Sequence, residues 1–229
     1  RRSSDLTGAE FIGRGPSGPR YIASIESVET PRAQLFPGAF HKGRKQMADD
    51  AALKDLAAKV QKLLDIEEIK KLKYRYFRCF DTADVDGIID VFHPDVTLSV
   101  VGGVYKFKME GRDAYIKMIR EGSHAEMITQ HNGHHPEIDI ISDTEAKGIW
   151  YLHDIVWEFR RNIHINGTAF YRENYLKVDG RWVIKDIEFQ RIYEISGQIK
   201  EKPNVSYSHL AQHAVKLPDG DLPAWQKDE

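Results

Sequence analysis

The sequence predicts an α+β fold in which a strongly curved antiparallel sheet packs on N-terminal helices. Three observations carry that reading. Apolar residues between 49 and 81 recur at three- and four-residue spacing, the period of a helix. After Val96 the apolar residues fall instead into β-branched runs broken by turn signals. Those runs follow one another with little helix between them, whereas a parallel α/β sheet would alternate the two. Such a sheet, closed at one end by helices, forms a cone with an apolar mouth, a natural place for a small molecule.

The elements follow in order. Asp49 and Asp50 are good N-caps, and the segment from Ala51 to Ala58 is rich in strong helix formers. Leu53, Leu56, Val60 and Leu63 make one apolar stripe; Ile66, Ile69, Leu72, Tyr76 and Phe80 continue it to a helix end near Asp81. A short helix is expected from Val85 to Phe92, stopped by Pro94. Strands are expected over Val96–Val101 and Val104–Met109 about the Gly102-Gly103 turn, and a helix over Arg112–Glu121. Met127–His131, Glu137–Ile141, Gly148–Phe159 and Phe170–Val178 are four further strand candidates. Asp179-Gly180 signals a hairpin into a last strand, Trp182–Tyr193.

Composition limits what the molecule does. The 229 residues are 41% hydrophobic and 30% charged, enough for a packed core and incompatible with bulk disorder. With 33 basic and 35 acidic side chains there is no field to attract nucleic acid or an anionic membrane. A single cysteine, Cys79, precludes an intrachain disulfide or a multi-thiolate zinc site and points to a reducing, cytoplasmic setting. No apolar run approaches the ~20 residues that cross a bilayer.

The catalytic domain is expected over residues 47–196. Residues 1–46 are rich in Ser, Gly, Pro and Arg and read as a flexible or loosely docked leader; residues 197–229 read as a C-terminal tail. A second reading of the leader starts from Lys42-Gly43-Arg44-Lys45-Gln46, whose codons would resemble a ribosome-binding site, and makes Met47 the true start.

Three clusters could carry chemistry. In the first, Tyr76 and Phe80 share a helix face and Asp81 sits where that helix ends. The plainer reading is a core tyrosine and a loop aspartate. In the second, His131-Asn132-Gly133-His134-His135, the spacing of the histidines would suit a metal on a helix, which Gly133 and Pro136 deny. An imidazole acting as proton acceptor is more economical. In the third, strand alternation puts Trp150, Leu152, Asp154 and Val156 on one face and Tyr151, His153, Ile155 and Trp157 on the other. Both faces are largely apolar, so the strand is expected to be covered on both sides, with His153 or Asp154 pointing into an interior. Asp154 is then a functional group or half of a buried ion pair with Arg191. No dinucleotide fingerprint, phosphate loop or nucleophile elbow is present. A phenol, carboxylates and imidazoles without a nucleophile suit proton transfer beside a carbonyl: isomerisation, dehydration or elimination.

Five segments then carry a resemblance in the same order over some 130 residues: Ile69–Leu72 with Tyr76–Asp81, His131–Ile138, Trp150–Asp154, Asn166–Tyr171 and Arg191–Glu194. Together they resemble the NTF2-like (scytalone dehydratase/SnoaL-like) superfamily, and within it the bacterial bile-acid 7α-dehydratases. The resemblance implies an NTF2-like cone, a homotrimer, no metal and no organic cofactor, and a steroid substrate. It implies catalytic roles for Tyr76, Asp81, His131 and Asp154, and substrate contacts at Arg191, Val100 and Asn166. Val100 stands where that group carries a pocket tyrosine. Two rival readings stay open: a dehydratase, cyclase or isomerase acting on an aromatic or polyketide compound, and a ligand-binding module without catalysis.

Overall fold

The computed structural model of the protein describes residues 42–201 and 203–220. The leader up to residue 41 and the end of the tail therefore lie outside the described residues. The first element, α1, runs unbroken over Lys42–Asp81. At 1.5 Å per residue it is about 60 Å long, and only its second half packs into the core. Its two apolar stripes consequently part company. Leu53, Leu56, Val60 and Leu63 are exposed, whereas Ile69, Tyr76 and Phe77 enter the core. Asp65 marks the division: itself buried, it accepts from Lys177 Nζ at 2.5 Å and Trp182 Nε1 at 3.1 Å. The expected start at Asp49 is corrected, since the helix begins a full two turns earlier and both aspartates lie within it.

A short α2, Val85–Ile89, is capped by Asp84, whose carboxylate accepts from Gly87 N at 2.9 Å. It is shorter than expected, and Pro94 lies within the first strand rather than ending a helix. The strands are β1 (Phe92–Val101), β2 (Lys106–Glu110), β3 (Met127–Ile140), β4 (Glu145–Glu158), β5 (Ile163–Val178) and β6 (Arg181–Gln198). Helix α3 (Arg112–Gly122) crosses between β2 and β3, and a single turn, α4 (His209–His213), lies in the tail. No described helix is long and apolar enough to cross a membrane.

The six strands form one sheet in the order β2-β1-β6-β5-β4-β3. The pairings are antiparallel, as expected, except β1 with β6, which is parallel. The reason is topological: β1 sits beside the last strand of the chain, which enters from the same end. The two strands expected around the histidine cluster are one, β3, with an irregularity between His134 and Glu137 where His135 takes φ 47°. That bulge lets Pro136 pass without breaking the strand, as bulges do where the ladder loses a donor. Further register shifts in β5–β6 bend the long hairpin.

The core lies between the sheet and the second half of α1. Ala169, Tyr171, Glu173 and Tyr175 of β5 alternate inward, as do Trp150, Leu152 and Asp154 of β4. The opposite face of β4, with Tyr151, His153, Ile155 and Trp157, is only half-buried, so this strand is not covered on both sides as expected. Gly133 of β3 lies against the Phe77 ring of α1. A Cβ there would meet the Phe77 ring at 2.1 Å. Gly133→Val should therefore cost about 1–3 kcal/mol by overpacking, read as a lowered urea midpoint with an unchanged slope.

Candidate active site

Strand β3 delivers Thr129 and His131 to the inner face, two residues apart and so on the same side. The end of α1 presents Asp81 to both. Its carboxylate accepts from Thr129 Oγ1 at 2.8 Å and from the His131 backbone N–H at 2.9 Å, and it meets His131 Nδ1 at 2.6 Å. A carboxylate at a helix C-terminus is unfavourably placed against the helix dipole; three donors offset that cost. Burial pushes the Asp81 carboxyl upward, but the bonds and charge of His131 outweigh it and hold the group below the ordinary carboxylate range. With Nδ1 given to Asp81, Nε2 is the ring nitrogen left for a reacting proton. Phe80 packs edge-on to the imidazole with centroids 4.9 Å apart, and Phe77 stacks on it at 6.4 Å.

The same two phenylalanines also touch Tyr76, at 6.1 and 5.3 Å between centroids, so the phenol and the imidazole share one aromatic lining. Tyr76 is buried, and its hydroxyl lies 2.7 Å from that of Tyr115 on α3 and also bonds Tyr171 of β5. Desolvation first, and then these two neighbours, raise the Tyr76 phenol well above its usual range. It keeps its proton at any working pH and acts as a donor.

Asp154 pairs directly with His131 across β3–β4 and faces the same way. Arg191 of β6 holds it with two bonds, Nη1 to Oδ1 at 2.5 Å and Nη2 to Oδ2 at 2.8 Å. The ion pair weighed against a functional role for Asp154 is thus formed. Gly167 makes room for it, because a Cβ there would come within 2.9 Å of Arg191 Nη1. Arg191 Nε reaches Glu194 Oε2 at 2.8 Å and donates to the Tyr105 hydroxyl at 3.2 Å. Tyr105 in turn donates to Glu194 at 2.9 Å, and burial raises its phenol to about 12.

Of the remaining predicted residues, Val100 is buried on the inner face of β1, paired with Phe189 on β6. Asn166 is not brought to the site. It is exposed on the outer face and bonds His153 Nε2 at 3.1 Å, since strand alternation turns it away from the face of Gly167 and Asp154. His134 and His135 sit at the bulge. Among the described residues no three His, Cys, Asp or Glu are grouped to hold a metal ion.

Sequence reading missed Tyr115, Tyr171, Tyr105 and Glu194. For Tyr115 a signal existed, since it shares one apolar face of α3 with Ile116 and Ile119. For Tyr105 none did, because its place depends on how the β1–β2 turn folds back.

A family model for the SnoaL-like domain matches residues 61–188. Among solved structures, one of a candidate scytalone dehydratase from Novosphingobium aromaticivorans superposes with a TM-score of 0.55 at 21% identity, covering 66% of this chain and 99% of that one. A type-2 hexachlorocyclohexane dehydrochlorinase (LinA) gives 0.56 at 16%, covering 64% and 99%. A type-3 LinA from Novosphingobium barchaimii gives 0.52 at 16%, covering 60% and 93%. At these identities the likeness is one of fold.

Proposed function

The chain belongs to the SnoaL-like domain family, and from that premise we propose that it is a cofactor-independent lyase that eliminates water from a 7α-hydroxy-3-oxo-4-ene steroid of the bile-acid type. The observation that carries the reading is the Asp81–His131 pair, an imidazole fixed through Nδ1 with Nε2 turned to an aromatic lining that also holds a buried phenol. The family hosts many chemistries, so the reaction has to come from the site. Two structural relatives, a candidate scytalone dehydratase and a hexachlorocyclohexane dehydrochlorinase, are named for eliminations of a small molecule.

The chemistry follows from the residues. In the enone, the hydrogens on carbon 6 are acidified through conjugation to the 3-oxo group. His131 Nε2 takes one of them, and the electrons of the C–H bond pass to the oxo oxygen as a dienolate. Tyr76 donates a hydrogen bond to that oxygen as charge gathers. The imidazolium, stabilised by Asp81, then gives its proton to the 7α-hydroxyl. The C7–O bond breaks, water leaves, and a 4,6-dien-3-one remains with His131 neutral again. Asp154 has both oxygens held by Arg191, and its part is to fix the guanidinium beside the site.

The test is an ultraviolet scan of the protein with a 7α-hydroxy-3-oxo-4-ene cholanoic acid. Extended conjugation moves the absorption to longer wavelength, so a red shift with wild type, absent with His131→Ala, is the expected result. Folded wild type without a shift would overturn the steroid assignment and direct the search to aromatic and polyketide compounds.

A further inference from the structure

Beneath the phenols lies a charge pair that the elimination does not use. Lys73, one turn before Tyr76 on α1, and Glu173, on the inner face of β5, are both fully buried. They bond directly, Nζ to Oε1. The lysine has more than one partner. Its Nζ lies 3.9 Å from the centroid of the Tyr76 ring and 3.7 Å from that of Tyr171, with Phe77 at 4.8 Å. An ammonium has three N–H bonds: one points to Glu173, and two phenol faces stand within contact of the others. Glu173 is equally satisfied, its Oε2 accepting from Tyr175, which itself accepts from Trp150 Nε1 at 2.9 Å.

A buried lysine is costly, and a neutral one could be replaced by leucine or methionine without loss. The arrangement suits charge, because ring faces attract a cation more strongly than an amine. Burial lowers the Lys73 ammonium from its usual value, and the Glu173 carboxylate opposes that. Both rings that the cation touches carry hydroxyls of the phenol trio. A positive charge against a phenol face draws electron density from the oxygen and strengthens its O–H as a donor.

We infer that Lys73 and Glu173 form a buried ion pair that holds and polarises the phenols of Tyr76 and Tyr171, which makes Lys73 a positioning residue for the hydrogen bond to the developing oxyanion. The inference rests on the reading of Tyr76 as that donor.

Its test has arms that need no substrate. In wild-type protein labelled with [15Nζ]lysine, the proton-coupled Lys73 resonance at neutral pH should be the quartet of an ammonium; the triplet of an amine would overturn the inference without any variant having to fold. In [13Cζ]tyrosine-labelled protein, the double variant Lys73→Met/Glu173→Gln removes both charges and leaves neither unpaired. The Tyr76 and Tyr171 resonances, assigned with Tyr76→Phe and Tyr171→Phe, should move while that of Tyr105 stays; unmoved Tyr76 and Tyr171 signals in the folded double variant would overturn it. With the enone as substrate, kcat should fall about tenfold and KM should hold, whereas unchanged kcat would overturn it. Should wild type leave the enone untouched, the steroid reading fails by itself and the two spectra still decide the fate of the pair.

Discussion

His131→Ala should lower turnover by roughly 10²–10⁴-fold, the range over which a positioned general acid–base contributes. The residue takes part twice, removing the proton from carbon and returning it to the departing hydroxyl. Asp81→Asn tests the same unit from its other end. The amide keeps the shape and loses the charge that stabilises an imidazolium, so kcat should fall while the fold holds. The two variants should be strongly non-additive, since Asp81 acts through His131. The double variant should be about as slow as His131→Ala alone, and multiplicative losses would show that Asp81 has an independent role.

Asp81 also links the site to stability. Its carboxyl lies below the ordinary range in the folded protein, with burial opposing and the bonds to His131 and Thr129 prevailing. A depressed carboxyl contributes stability above its unfolded value, near 4, and loses it as pH falls through the folded value. Wild type should therefore weaken steadily from about pH 5 downward. In Asp81→Asn that segment of the curve should flatten. Urea midpoints across the acid range measure both, and parallel curves for the two proteins would remove Asp81 as the source.

What was legible in the sequence was whatever depends on local period. Helical spacing gave α1 from Ile66 to Phe80, and strand alternation put Trp150, Leu152 and Asp154 on one buried face. The dyad came from the resemblance and not from period, which put Asp81 at a helix end but did not single out His131 among the three histidines of its cluster. The stripe at Leu53, Leu56, Val60 and Leu63 carries the same period as the one that follows, yet it is exposed. Period tells which residues share a face; only the tertiary packing tells whether that face is covered. Asn166 stands apart from the other site residues for a related reason. A matching segment fixes an address along a strand, and a shift of one residue exchanges the faces. Lys73 and Glu173 were the least legible, because charged residues in apolar stripes read as solvated unless their partners, here 100 residues apart, are known.

Tyr76→Phe should cost on the order of a hundredfold or more in kcat, the usual loss when an oxyanion donor is removed, with KM little changed. The trio explains why this one hydroxyl matters most. Three phenols supply three protons, and the contacts of Tyr76 with Tyr115 and Tyr171 use two of them. One proton is left over for a ligand oxygen. When Tyr76 provides it, its own oxygen accepts from both neighbours, and each bond polarises the next. All three phenols are pushed above their usual range, chiefly by burial, so none is lost to ionisation at working pH. Tyr115→Phe and Tyr171→Phe should then be milder, because each removes one supporting bond and leaves the donor in place. Equal losses at all three positions would mean that the ligand oxygen sits among the hydroxyls without preference. Near wild-type turnover in Tyr76→Phe would refute its role and leave the dienolate oxygen to another donor, of which Tyr105, already held between Arg191 and Glu194, is the next to test.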